Sequence, residues 1–221
     1  MHNKRFTLID GIFLLIWALP LVYLAVLFSR LPAQVPLHFN SAGQPNRFGA
    51  RSAFAWYMVL LQAVSLGMFF LLRYLPEIDP KKKIKYSGHV LAQISYALIT
   101  FMSALAVFLV YGTARGRLNL DMHYLFASIG LLMAYLGNLF NNLKPNYFVG
   151  IRTPWTLENE TVWKKTHQVG GRLWLAGGLI LALACVFAPG SWTPGIFAAG
   201  IAILVVIPVV YSYVAFKKIA G

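Results

Sequence analysis

Charge is scarce in this chain, and acid is scarcer still. Only 11% of its 221 residues are charged, and six acids (Asp10, Glu77, Asp79, Asp121, Glu158, Glu160) face nineteen lysines and arginines, for a formal net charge of +13. Ordinary globular domains are roughly 25% charged and about 45–50% apolar. Here the apolar share is 59% and the mean hydropathy +0.66, more apolar surface than a water-soluble globule of this size can hide. That excludes a soluble domain. Cysteine is nearly missing: Cys185 stands alone, which excludes an internal disulfide framework. No internal repeat is visible, which counts against a transporter built from inverted halves. In a soluble protein the basic surplus would suggest nucleic acid. Here the bases lie between long apolar runs, so topology accounts for them and no direct nucleic-acid binding is expected.

What the chain does have is apolar length. A spanning helix needs about 20 mostly apolar residues to cross roughly 30 Å of hydrocarbon. Six stretches qualify: Phe6–Phe28, Ala53–Leu72, Gly88–Gly112, Met122–Phe140, Gly170–Ala188 and Ile196–Phe216, together 127 of the 221 residues. They are continuous, whereas barrel strands alternate in short segments. The expected fold class is therefore all-α: a polytopic membrane protein with six transmembrane helices. Pro20 and Pro208 fall inside the first and last spans, where each removes a backbone donor. The first span is too long for a signal-peptide core, and no small-x-small cleavage site follows it.

Orientation follows from lysine and arginine on alternate sides. The side holding both termini carries 14 of them, with Lys81, Lys82, Lys83 and Lys85 in one run, and the other side carries 5 (Arg30, Arg47, Arg51, Arg115, Arg117). This bias predicts cytoplasmic N and C termini in a bacterial cytoplasmic membrane. The lysine run reads as a topology determinant touching anionic lipid.

Two connections are long. The first, residues 29–52, is expected outside. Val35-Pro-Leu-His-Phe39 reads as a short strand, while Asn40–Gly43 and Pro45–Gly49 read as turns. His38 and Asn40 are expected to hydrogen-bond this compact cap to itself. The second, residues 141–169, is expected inside. Thr156 is placed as the N-cap of a short interfacial helix carrying Glu158 and Glu160, with Glu160 and Lys164 as an i,i+4 pair. Trp155, Trp163 and Trp174 would suit the headgroup zone.

These loops also carry a family resemblance. Leu31-Pro…Val35-Pro-Leu-His-Phe-Asn-Ser-Ala-Gly43-Gln-Pro-Asn-Arg-Phe-Gly49 resembles a DUF1648 segment. Asn146-Tyr-Phe-Val-Gly150-Ile-Arg-Thr-Pro-Trp155…Trp163-Lys-Lys-Thr-His167 resembles the signature of the SdpI/YfhL family, and the two occur in that family's order. The implied division is a DUF1648-like region over 1–75, a third span with its flanks over 76–121, and an SdpI/YfhL-like region over 122–221. The resemblance implies an integral-membrane immunity or receptor-type protein rather than an enzyme, without a cofactor. Such a protein protects against or senses a secreted membrane-active peptide toxin outside, and engages a transcriptional repressor inside. By the same resemblance, ligand or partner contacts fall to His38, Asn40, Gly43, Arg47, Asn146, Gly150, Arg152, Pro154, Trp155, Trp163 and His167.

Other chemistries are weaker. His38, Asp121 and His123 share the expected outer side and offer a metal-ligand set, but they come from separate contexts and no His-Glu-x-x-His helix occurs. Asp121 is more simply the N-cap of span four. Asp10, the one ionisable group within a span, reads as a helix cap or a partner for Lys4 or Arg5. Gln62, Gln93, Ser95, Thr100, Ser103, Tyr135 and Asn138 suit hydrogen bonds between helices, and Gly130, Gly137, Gly177 and Gly178 suit close helix packing. Arg152 has three readings: an anion site, an internal anchor, or a surface for a soluble partner. A small-solute transporter and a membrane enzyme around His38 are the rival functions.

Overall fold

A computed structural model describes residues 6–40, 43–79, 87–116 and 122–220. In chain order it contains α1 (Leu8–Leu27), a 3-10 turn (Phe28–Arg30), β1 (Gln34–Phe39), β2 (Pro45–Ala50), α2 (Arg51–Ile78), α3 (Gly88–Ala114), α4 (Met122–Phe140), α5 (Pro154–Glu158), α6 (Glu160–Phe187) and α7 (Thr193–Ala220). Among the described residues six helices are long and apolar enough to cross a membrane: α1 with the turn after it, α2, α3, α4, α6 and α7. Large apolar side chains such as Leu15, Leu19 and Val26 on α1, and Ile203, Val206 and Val210 on α7, are exposed. Acyl chains are the environment that such a surface requires. The chain is an all-α polytopic membrane protein.

The chain divides into two compact units. One comprises residues 1–73 and 93–120, and the other residues 74–92 and 121–221. In the first, α1 opens on a capping box. The Thr7 amide donates to Asp10 Oδ2 (2.7 Å) and the Asp10 amide to Thr7 Oγ1 (3.2 Å), satisfying donors that a helix start leaves free. Asp10 is thus the expected cap. Among the described residues it pairs with Arg73 of α2; Lys4 and Arg5, its expected partners, lie outside the described residues. Tyr96 of α3 donates its hydroxyl to Asp10 Oδ1 (2.8 Å), and Phe13 stacks on the Tyr96 ring. The fully buried Asp10 therefore ties three helices together at one level. Further along, Trp17 Nε1 donates to the Gln62 carbonyl (2.8 Å). The opposite end of this unit is closed by Leu24, Leu31, Val35, Phe54, Met58, Ala106 and Val110.

The other unit is built on a seam of small residues. A Cβ on Gly178 of α6 would lie 2.6 Å from the Gly130 carbonyl oxygen and the Ala134 amide nitrogen of α4. On Gly137 it would lie 2.6 Å from the Leu175 amide nitrogen. Only hydrogen fits there, and close backbone approach is how helices gain contact where lipid supplies no hydrophobic drive. Gly130, Gly137 and Gly178 thus act as expected. Gly177 differs: its missing side chain makes room for Leu204 of α7, and Trp174 Nε1 donates to the Leu204 carbonyl (2.7 Å).

Local structure departs from expectation in three places. Pro45–Gly49, read as a turn, lies in strand β2, antiparallel to β1 with Val35 opposite Gly49. Reversal is completed earlier, by Asn40 and by Gly43 at φ +76. The Asn40 side chain accepts from the Gln44 amide (2.9 Å). Thr156 does not cap the helix carrying Glu158 and Glu160. Thr153 caps α5 instead, accepting from the Thr156 amide (3.3 Å), and Pro154 follows at the first helical position, where its missing N–H costs nothing. Asn159 then caps α6, its Oδ1 accepting from the amides of Thr161 (2.8 Å) and Val162 (3.0 Å). The expected interfacial helix and fifth span are one helix, which continues unbroken through Gly170 and Gly171 because Gly171 faces the Gly137 carbonyl.

Candidate functional site

The sequence-predicted residues fall into two sets, one in each unit. The first is the hairpin β1–β2. Val35 is fully buried and anchors the hairpin to its unit, while Gln34, His38, Asn46, Arg47 and Phe48 are exposed. His38 Nδ1 donates to Asn46 Oδ1 (2.6 Å), and Asn40 shapes the turn through Gln44, so both bind the loop to itself as expected. Arg51, the first residue of α2, reaches back to the carbonyls of Ser29 and Leu31 (3.4 Å each) and lies over the Phe28 ring. The base of the hairpin is thereby fixed. Its outer strand presents an amide, a cation and an aromatic ring in sequence: Asn46, Arg47, Phe48.

The second set is the segment from Asn141 to His167. Asn146 is buried and uses its whole amide group. Its Oδ1 accepts from the Phe148 and Val149 amides (2.8 Å each), and its Nδ2 donates to the carbonyls of Lys144 (2.9 Å) and Val149 (3.0 Å). This folds residues 144–149 around one side chain. Gly150 follows at φ +116, a conformation that a Cβ disfavours. The turn delivers the Ile151 amide to His167 Nε2 (3.0 Å), while His167 Nδ1 donates to the Trp163 carbonyl (2.9 Å). Accepting at Nε2 fixes the neutral Nδ1–H tautomer. The imidazole stacks on the buried Trp163 ring at 4.0 Å between centroids, and Trp163 Nε1 donates to the Leu143 carbonyl (2.9 Å). Finally, Thr153 Oγ1 donates to Ser212 Oγ of α7 (2.9 Å).

Asn146, Gly150, Trp163 and His167 therefore shape the segment from within, with the polar side-chain groups of Asn146, Trp163 and His167 already engaged. Trp163 and Trp174 hydrogen-bond inside the protein rather than standing in a headgroup belt, and Trp155 packs against Tyr213 of α7. Arg152 is exposed, and its Nη1 donates to the Tyr147 carbonyl (2.6 Å), the internal-anchor geometry of its three readings. Pro154 is exposed at the start of α5. Glu160 and Lys164 form no ion pair, since their exposed side chains gain little in water by pairing.

His38 and His123 belong to different units, and Asp121 lies outside the described residues. His123 Nδ1 donates to the Cys185 carbonyl (2.7 Å), a bond that joins α4 to the end of α6. Among the described residues no three His, Cys, Asp or Glu side chains cluster to hold a metal ion. Sequence reasoning missed Thr153, Ser212 and the partnership of Arg73 and Tyr96 with Asp10. Only Thr153 left a readable signal, a capping residue directly before Pro154.

Comparisons with known proteins divide the chain along similar lines. Residues 142–212 match the SdpI/YfhL protein family, and residues 15–63 match a domain of unknown function, DUF1648. Immunity protein SdpI of Bacillus subtilis (strain 168) is 24% identical over 196 residues, which cover 89% of this chain and 90% of that protein. No solved structure matches the chain. The first match begins in the loop that Asn146 folds and runs to Ser212, while the second spans the hairpin with the adjoining parts of α1 and α2. The chain is a multi-pass membrane protein, similar over residues 142–212 to the SdpI/YfhL protein family and over residues 15–63 to DUF1648.

Proposed function

We propose that this protein is an immunity-type membrane protein, protecting the cell that makes it from a membrane-active peptide. The observation that carries this reading is the similarity to Immunity protein SdpI along nearly the whole of both chains. The lysine and arginine bias supports cytoplasmic termini and an outer hairpin, on the side where a secreted peptide arrives. In this reading His38, Asn46, Arg47 and Phe48 form the receiving surface, with Asn40 and Gly43 holding its shape. The Asn141–His167 segment lies inside, and its exposed Arg152, Pro154 and Glu158 are the surface through which a cytoplasmic regulator would be engaged. Asn146, Gly150, Trp155, Trp163 and His167 serve that surface by fixing its backbone. Membrane-active peptides carry apolar faces, which the exposed Phe48 ring is suited to meet, and aromatic side chains over which the Arg47 guanidinium can stack.

The test is expression of the intact chain in a bacterium that a secreted membrane-active peptide kills. Cells carrying the protein are expected to survive a dose that kills cells carrying the empty vector. Equal killing across a panel of such peptides, with the protein present in the membrane, contradicts the reading.

A further inference from the structure

A cavity of about 450 Å³ opens beside the Asn141–His167 segment, lined by Asn141, Leu143, Lys144, Pro145, Glu160, Thr161, Trp163, Lys164 and His167. That is within the range of small-ligand sites. Its floor is chemically closed: the indole N–H of Trp163 and both ring nitrogens of His167 are already engaged. Recognition therefore falls to the exposed rim. Two lysines stand there against one carboxylate, with the Asn141 amide and the Thr161 hydroxyl. Among the described residues neither Lys144 nor Lys164 has its ammonium in a hydrogen bond or ion pair. The cavity is also placed at a boundary. α4 ends at Phe140, one residue before the rim begins, and the long apolar run of α6 starts only after Gly170. Leu143, Pro145 and the Trp163 ring give one wall an apolar character, while the lysines supply the charge.

We propose that this cavity binds an anionic phosphate group, with Lys144 and Lys164 as its counter-ions and Asn141 and Thr161 as hydrogen-bonding partners. A basic pocket between spanning helices, at the level where hydrocarbon gives way to headgroups, fits the phosphate of an anionic phospholipid. A soluble phosphate has the same chemistry, and the experiment separates the two. The site is independent of the hairpin and of the immunity reading.

Native mass spectrometry of the full chain in detergent, titrated with phosphatidylglycerol or phosphatidylcholine, reads the lipid source. Thermal melting with inorganic phosphate against chloride at matched ionic strength reads the soluble one. Retention of phosphatidylglycerol over phosphatidylcholine is expected. It should fall about fivefold in Lys144→Ala or Lys164→Ala and about 30-fold in the double variant, since each lysine near the surface contributes about one such step. Lys165→Ala, an exposed neighbour outside the cavity, should leave retention unchanged, and Glu160→Gln should strengthen it. Selective protection by inorganic phosphate that is lost in the double variant, without lipid selectivity, assigns the site to a soluble phosphate. Equal retention of both lipids with no phosphate protection overturns the proposal. So does a loss in Lys165→Ala as large as that in Lys164→Ala. All these positions are exposed, and melting of each variant without ligand verifies that it is folded.

Discussion

Replacing Asp10 by alanine is expected to destabilise the chain by about 3 kcal/mol, the low end of what breaking a buried ion pair costs. Among the described residues the carboxylate receives four hydrogen bonds: from the Thr7 amide and hydroxyl, from the Tyr96 hydroxyl, and from Arg73. Alanine removes the reciprocal half of the α1 cap, worth about 1 kcal/mol by itself, and takes the acceptor from a tyrosine and the counter-ion from a guanidinium. Asp10→Asn keeps the shape but not the charge, so it should fall between alanine and the native chain. The pair itself is not required for packing. Asp10→Ala combined with Arg73→Met should recover most of the loss, because an apolar replacement of a buried ion pair is often neutral. Thermal melting in detergent micelles measures all three variants. A loss below about 1 kcal/mol in Asp10→Ala would show that the carboxylate holds nothing together.

Gly150→Ala is expected to cost about the same, roughly 3 kcal/mol, for different reasons. At φ +116 an L side chain adds about 1–3 kcal/mol of strain, and its Cβ would run into His167 Nε2. Moving that ring withdraws the acceptor from the Ile151 amide, a further ~1–3 kcal/mol if the amide stays buried. The two contributions separate in a double-mutant cycle. With His167→Ala as background the collision is gone and only backbone strain remains, so the two substitutions together should cost less than their sum by about 1–2 kcal/mol. Strict additivity in the melting data would mean that Gly150 is kept for its backbone angle alone. The same cycle tests whether the His167 ring is the post around which this segment turns.

The six spans were legible because each apolar run is long enough to cross hydrocarbon, and five of the six helices begin and end within six residues of the expected bounds. The sixth case is instructive. α6 begins ten residues before its apolar run because the Asn159 side chain caps it, and helix starts depend on one local hydrogen bond that hydropathy does not register. β2 was hidden for a related reason. Pro45-Asn-Arg-Phe-Gly49 is rich in turn formers, yet Asn40 and Gly43 complete the reversal earlier and leave those residues to pair with β1. Long-range partners were least legible. Asp10 lies 63 residues from Arg73 and 86 from Tyr96, and nothing local in the sequence points to either of them. In the Asn146–His167 segment the important positions were visible but their work was not. Asn146, Gly150, Trp163 and His167 form one internally bonded turn, which leaves the exposed Arg152, Lys144 and Lys164 as the groups that can meet another molecule.

The immunity reading makes the hairpin the point of contact, and site-directed photocrosslinking tests that directly. A photoreactive amino acid is placed at Phe48 in the intact protein, in living cells, and the cells are exposed to a membrane-active peptide against which the protein gives protection. A covalent adduct is expected at Phe48, lost when Arg47 is changed to alanine, with no adduct from a probe at Leu157 of α5. Adducts at Leu157 and none at Phe48, in cells that remain protected, would contradict the assignment of the hairpin as the receiving surface.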